Sequence, residues 1–203
     1  MAARSTPWRR RAVTAGMLAA LLLVAGCTSG GKPEGGGQAT STAAPAAPAA
    51  PLEVRLVAAA KVPPGLNAKR AAKQAAPGLE RFLDRYLTAA FVQAPGGEAG
   101  WDGLLGLFDT PVRASARKQL DALSLGAAAP KVSAVRPSRA SARAVVLYNG
   151  RRPAAATVRL AFDATADTAQ GSGQVHLRSV LQLLATGEGW RIAAFDSRTG
   201  PPQ

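Results

Sequence analysis

The sequence predicts an α+β fold: N-terminal helices packed on one face of a curved antiparallel sheet of about four strands. Three observations predict it. Apolar residues recur at helical spacing from Leu79 to Phe91. After Pro130 the apolar period changes from 3.6 to 2. Asn149-Gly150 and Gly187-Glu188-Gly189 then separate alternating runs as hairpin turns do. Helices first and a meander afterwards bury best when the helices cover one face of the sheet.

Two segments precede the predicted domain. Met17–Cys27, MLAALLLVAGC, is apolar and ends abruptly, behind the basic stretch Trp8-Arg9-Arg10-Arg11. The apolar core from Val13 to Gly26 falls short of the roughly 17–25 residues that span a bilayer. A charged start, a short apolar run and small residues before a break are the pattern of a secretory signal. Thr28–Pro51, TSGGKPEGGGQATSTAAPAAPAAP, has no aromatic and no large aliphatic residue, so it is expected to be a disordered linker. As a coil it reaches roughly 25–30 Å. The map is therefore 1–26 signal, 27–51 linker, 52–76 a strand with a short basic helix, and 77–203 the main domain.

The elements follow in order. Leu52–Val62 reads as a short strand, and Pro63-Pro64-Gly65 breaks it. Asn67 is placed to cap a short basic helix that runs to Ala76. After Pro77, Leu79, Phe82, Leu83, Tyr86, Leu87, Ala90 and Phe91 form one stripe, with Glu80, Arg81, Asp84, Arg85 and Thr88 opposite. A single stripe means a helix lying on a core. Pro95-Gly96-Gly97 ends it. Trp101–Phe108 is a helical turn gathering Trp101, Leu104, Leu105 and Phe108. Thr110-Pro111 reads as N-cap and first position of a third helix, which stops near Gly126. The strands expected are Val132–Arg136 continuing through Ser141–Tyr148, then Ala156–Asp163, Gly173–Ala185 and Trp190–Asp196. In the second, Val158, Leu160 and Phe162 alternate with Thr157, Arg159 and Ala161. The third is apolar on both sides near its end, so it is expected to be central and bulged. In the last, Trp190, Ile192 and Ala194 are expected to oppose Arg191, Ala193 and Phe195.

Charge and chemistry narrow the function. The 203-residue chain carries +13; four of its 25 basic residues and none of its 12 acids precede residue 27, which leaves +9 beyond it. An exported chain is not expected to meet nucleic acid. Anionic lipid or an anionic cell-wall polymer fits the charge better, at roughly 1 kcal/mol per Lys or Arg near the surface. Arg139 and Arg143, two apart on either side of Ser141, share one strand face. Arg159, Arg178 and Arg191 extend that face if the registers agree. His176 is the lone His and Cys27 the lone Cys, so no metal set and no cofactor are expected. No nucleophile elbow, phosphate loop or dinucleotide fingerprint is present, and no catalytic residue is assigned. A binding or interaction module is expected rather than an enzyme, with an envelope protein as a further partner class.

Two resemblances add to this. Val24-Ala25-Gly26-Cys27 resembles the bacterial lipobox. That implies diacylglycerol on the Cys27 thiol, cleavage by signal peptidase II between Gly26 and Cys27, and a lipid-anchored protein on the extracytoplasmic face of the cell membrane. Residues 78–196, ending in Gly189-Trp190-Arg191-Ile192 and Phe195-Asp196, resemble the nuclear transport factor 2-like (cystatin-like cone) domain, and more narrowly actinobacterial lipoproteins that carry it. Cone enzymes of the polyketide cyclase and ketosteroid isomerase type place a base and a donor in a pocket between helix and sheet, which makes such an enzyme the alternative. A half-barrel lipid carrier is a further option, but it needs more strand than four short runs supply.

Overall fold

A computed structural model describes residues 52–93 and 101–200. The leader, the Val24–Cys27 motif and the linker lie outside the described residues. β1 (Arg55–Lys61) leads into α1 (Ala68–Leu87), which ends in a wide turn over Thr88–Val92. Three short helices follow: α2 (Asp102–Leu105), α3 (Thr110–Arg117) and α4 (Leu120–Leu123), then a 3-10 turn at Gly126–Lys131. β2 (Val132–Asn149), β3 (Arg152–Thr168), β4 (Gly171–Thr186) and β5 (Gly189–Gly200) complete the chain.

The class is α+β, but the sheet differs from the one expected. It is mixed and five-stranded, in the order β1-β2-β3-β4-β5. β2 to β5 form an antiparallel meander, and β1 joins its edge parallel to β2, with Arg55 beside Ser141 and Lys61 beside Leu147. A parallel neighbour requires a crossover, and here α1 and the short helices supply it. Local alternation in an alanine-rich run carries no trace of so distant a partner. The strands also outrun their expected ends. Asp163–Gly173, read as a connection, is ladder almost throughout, with only Ala169 and Gln170 between the strands. Thr165 pairs with Gln174 and Asp167 with Ser172, so polar side chains there belong to an exposed sheet face.

α1 runs unbroken through Pro77. The expected division into two helices at that residue is absent, and the segment 52–76 is continuous with the rest of the fold. Asn67 caps it as expected, its Oδ1 accepting from the Arg70 amide at 3.0 Å. The reason for continuity is the stripe. Ala71, Ala72 and Ala75 extend Leu79, Phe82, Leu83 and Tyr86 on one buried face. Pro77 and Lys73, whose carbonyl loses its usual donor, both face solvent. Asp109, one residue earlier than expected, caps α3 through its Oδ1 and the Thr110 amide.

Helices cover one face of the sheet and share one core with it, all of whose buried members lie between Val54 and Ile192. Phe91 packs against Phe162 with ring centroids 4.9 Å apart and planes tilted by 37°, and Phe108 meets Phe195 edge-on at 5.5 Å. The described residues from 52 onward thus share one core. β5 changes faces midway. Gln182 pairs with Ala194 and Leu183 with Ile192, so Ala193 is an extra residue. That bulge turns Phe195 inward and Ala194 outward, reversing the expected alternation after Ile192.

Candidate anion-binding site

Outward-facing residues of paired strands stand side by side, so the register maps the open face of the sheet. Ser141 on β2 faces Ala161 on β3. Beside Ser141 stands Arg55 of β1; beside Ala161 stands Arg178 of β4, which pairs in turn with Arg198 of β5. Along the strands, one step to one side is the pair Arg143–Arg159, and one step to the other is Arg139–Asp163. Six positions therefore surround a floor of two small residues. Five hold Arg, and the sixth holds Asp163. The result is an open recess of about 720 Å³ lined by Arg55, Arg139, Arg143, Arg159, Arg178 and Arg198 around Ser141 and Ala161.

The charges are poorly compensated. Arg178 donates to Asp163 Oδ1 at 2.8 Å, and His176 Nδ1 lies 2.8 Å from the same oxygen. Burial pushes the pKa of Asp163 up, but hydrogen bonds and charge from Arg178 and His176 outweigh it and hold the carboxyl below the usual carboxylate range. Among the described residues, Arg55, Arg139, Arg143, Arg159 and Arg198 have no carboxylate within 4 Å; Asp196, the acid in the recess wall, has no basic partner within that distance either. Like charges directly opposite across a ladder destabilise it. Arg143–Arg159 and Arg178–Arg198 are two such pairs. Guanidinium groups are planar forks matched to phosphate and carboxylate oxygens, so the arrangement is chemically suited to holding an anion.

Of the five arginines named from sequence, the fold gathers four: Arg139, Arg143, Arg159 and Arg178. Arg191 stands away from them. Its guanidinium donates to the Gly106 carbonyl at 3.0 Å and pairs with Glu188 at 2.9 Å. Sequence reasoning missed the contribution of Arg55 to the recess and the floor itself. The floor has a sequence trace, a small residue with charged residues two before and two after it, in Arg139-Ala140-Ser141-Ala142-Arg143 and again in Arg159-Leu160-Ala161-Phe162-Asp163. Arg55 has none, because its place depends on the parallel pairing of β1.

The helix-covered side is filled. Phe82, Tyr86, Phe91, Phe108 and Phe162 are fully buried there. The Tyr86 hydroxyl donates to the Leu123 carbonyl at 3.1 Å, and burial raises its pKa well above the usual phenol value. The Tyr148 hydroxyl ties β2 to α1 by donating to the Ala71 carbonyl at 2.8 Å. Among the described residues no cluster of His, Cys, Asp and Glu is arranged to hold a metal, and no helix is long and apolar enough to cross a membrane. Compared with protein-family models, curated proteins and solved structures, the chain matches none.

Proposed function

We propose that the protein is a lipid-anchored, extracytoplasmic protein of the bacterial cell envelope, tethered through Cys27, and that its domain is a non-catalytic module which binds an anionic ligand on the open face of the sheet. The observation that carries the binding reading is the ring of arginines around Ser141 and Ala161, five of the six without a carboxylate within 4 Å among the described residues. The sequence Val24-Ala25-Gly26-Cys27 after a short apolar run supports the anchor.

The nuclear transport factor 2-like reading of the domain remains part of this proposal. Helices preceding a meander and covering one of its faces speak for it; the parallel edge strand β1 departs from it as expected from sequence. The ligand is assigned to the open face because the side where a cyclase- or isomerase-like pocket would lie is occupied by aromatic side chains. The lipid-carrier option had been set against short strands. The strands are 12 to 18 residues long in the meander, so that objection falls. The same packed interior now stands against a carrier.

The test is equilibrium binding of the chain from Thr28 onward to soluble polyphosphate. Binding is expected at low ionic strength and should weaken steeply as salt screens exposed charge, the Debye length falling from about 10 Å at 0.1 M to about 3 Å at 1 M. Binding that is absent at low salt, or indifferent to salt, would overturn the reading.

A further inference from the structure

Resting on the reading above of a tethered anion binder, the geometry points to a specific ligand class: we infer that the recess takes the phosphate headgroup of an anionic phospholipid, and that the domain lies with this sheet face against the membrane that anchors it. Three features bear on the class: charge suits any polyanion, and the apolar residues beside the ring and the place where the chain enters favour a lipid.

The first is charge. The two cross-strand arginine pairs and Arg55 and Arg139 point the same way out of one face, around a floor with no side chain larger than Ser. A floor of Ser141 and Ala161 leaves depth for a headgroup between guanidinium forks.

The second is what adjoins the ring. Beyond Arg143–Arg159 large apolar residues enter the face among polar ones: Val145 pairs with Thr157, which bonds Gln182, then Leu147 pairs with Ala155, with Ala59 beside Val145 and Lys61 beside Leu147. Val57 stands next to Arg143, and Leu184 next to Ala155. Val57 is 67% exposed, Leu147 44%, Leu184 43% and Val145 40%. These are four of the five large hydrophobic residues most exposed among those described; the other is Val92. Exposed large apolar side chains with basic residues beside them are the composition of a surface that rests at the boundary of headgroup and acyl chain. A soluble anionic polymer offers nothing to the apolar side chains.

The third is where the chain enters. The described domain begins at Leu52, and Arg55, the first residue of β1, is itself part of the ring. The described chain therefore begins beside the recess, and a linker coil of roughly 25–30 Å would keep the recess within reach of a membrane that holds Cys27. Linking two attachments in this way converts the second into an intramolecular step.

The experiment is vesicle co-sedimentation of the chain from Thr28 onward, which lacks the anchor and so reports the sheet face alone. Vesicles of mixed phosphatidylglycerol and phosphatidylcholine are compared with pure phosphatidylcholine, with soluble polyphosphate as a second ligand. Binding to the anionic vesicles and not to phosphatidylcholine is expected. Replacing Arg143→Gln and Arg159→Gln together should weaken it about 30-fold, the effect of removing two cations from near an anionic surface. Replacing Val145→Ser and Leu147→Ser together should weaken vesicle binding about 10-fold and polyphosphate binding far less. Thermal melts of each variant establish that it is folded. Vesicle binding that survives loss of the two arginines overturns the inference. So does an unaltered vesicle affinity in the Val145/Leu147 variant, which would assign the face to a soluble polyanion and leave the proposed function standing. Failure to bind either vesicles or polyphosphate overturns both.

Discussion

Arg143 and Arg159 face each other across β2 and β3, about 5 Å apart at their Cα atoms as the ladder dictates. Neither has a carboxylate within 4 Å among the described residues. A ladder selected only for stability would place an opposite charge at one of the two positions. Arg143→Gln is therefore expected to raise Tm by about 1–3 °C in low salt, from relief of one like-charge pair in a domain of this size. The gain should shrink at 1 M salt, where the repulsion is already screened, and the same variant should bind anions less well. A melt that shows Arg143→Gln less stable than the parent would mean that the arginine contributes packing rather than repulsion. Stability traded against binding at one residue is a common mark of a functional site. The sequence marked this residue by its spacing from Arg139, but its opposite number was hidden, because cross-strand partners are a property of register.

At the scale of elements, α1 and β1 decide how far the domain reaches. Pro77 lies mid-helix, where proline removes a backbone donor and costs about 3 kcal/mol. The buried stripe from Ala71 to Leu87 outweighs that cost. Pro77→Ala is expected to stabilise the domain by about 2 kcal/mol, less than the full figure because proline also restricts the unfolded chain. Chemical denaturation would show a higher midpoint with an unchanged slope. A lower midpoint would mean that the proline sets a bend on which the packing depends. From sequence, Pro77 reads as a boundary, since a local rule sees the missing N–H and not the burial that compensates it. The bulge at Ala193 is a similar case. Strict alternation predicts Phe195 outward, while one extra residue turns it onto Phe108.

On the scale of the whole molecule, the domain has two unlike faces: one buries aromatic side chains beneath helices, and the other presents arginines beside exposed apolar residues. The proposed anchor gives that asymmetry an orientation. Cys27→Ser should abolish both the lipid and the cleavage between Gly26 and residue 27, so that intact mass shows a chain without diacylglycerol that retains its leader. Normal cleavage of Cys27→Ser at that bond would sink the lipobox reading.

Periodicity made the helices, the meander and most inward-facing residues legible, because side-chain direction along one element depends only on its own backbone. The charge surplus and the residues Val24–Cys27 likewise needed no structure to be noticed, and they set the expectation of an anchored, anion-facing protein. Which residues become neighbours was another matter. The union of β1 with β2, the facing of Ser141 and Ala161, the inclusion of Arg55 and Arg198 and the departure of Arg191 toward Gly106 and Glu188 were decided by strand pairing. Pairing joins residues far apart in the chain, and one residue of slip exchanges the two faces of a strand. The arginines were visible one at a time in the sequence, and only the packed sheet made them a ring.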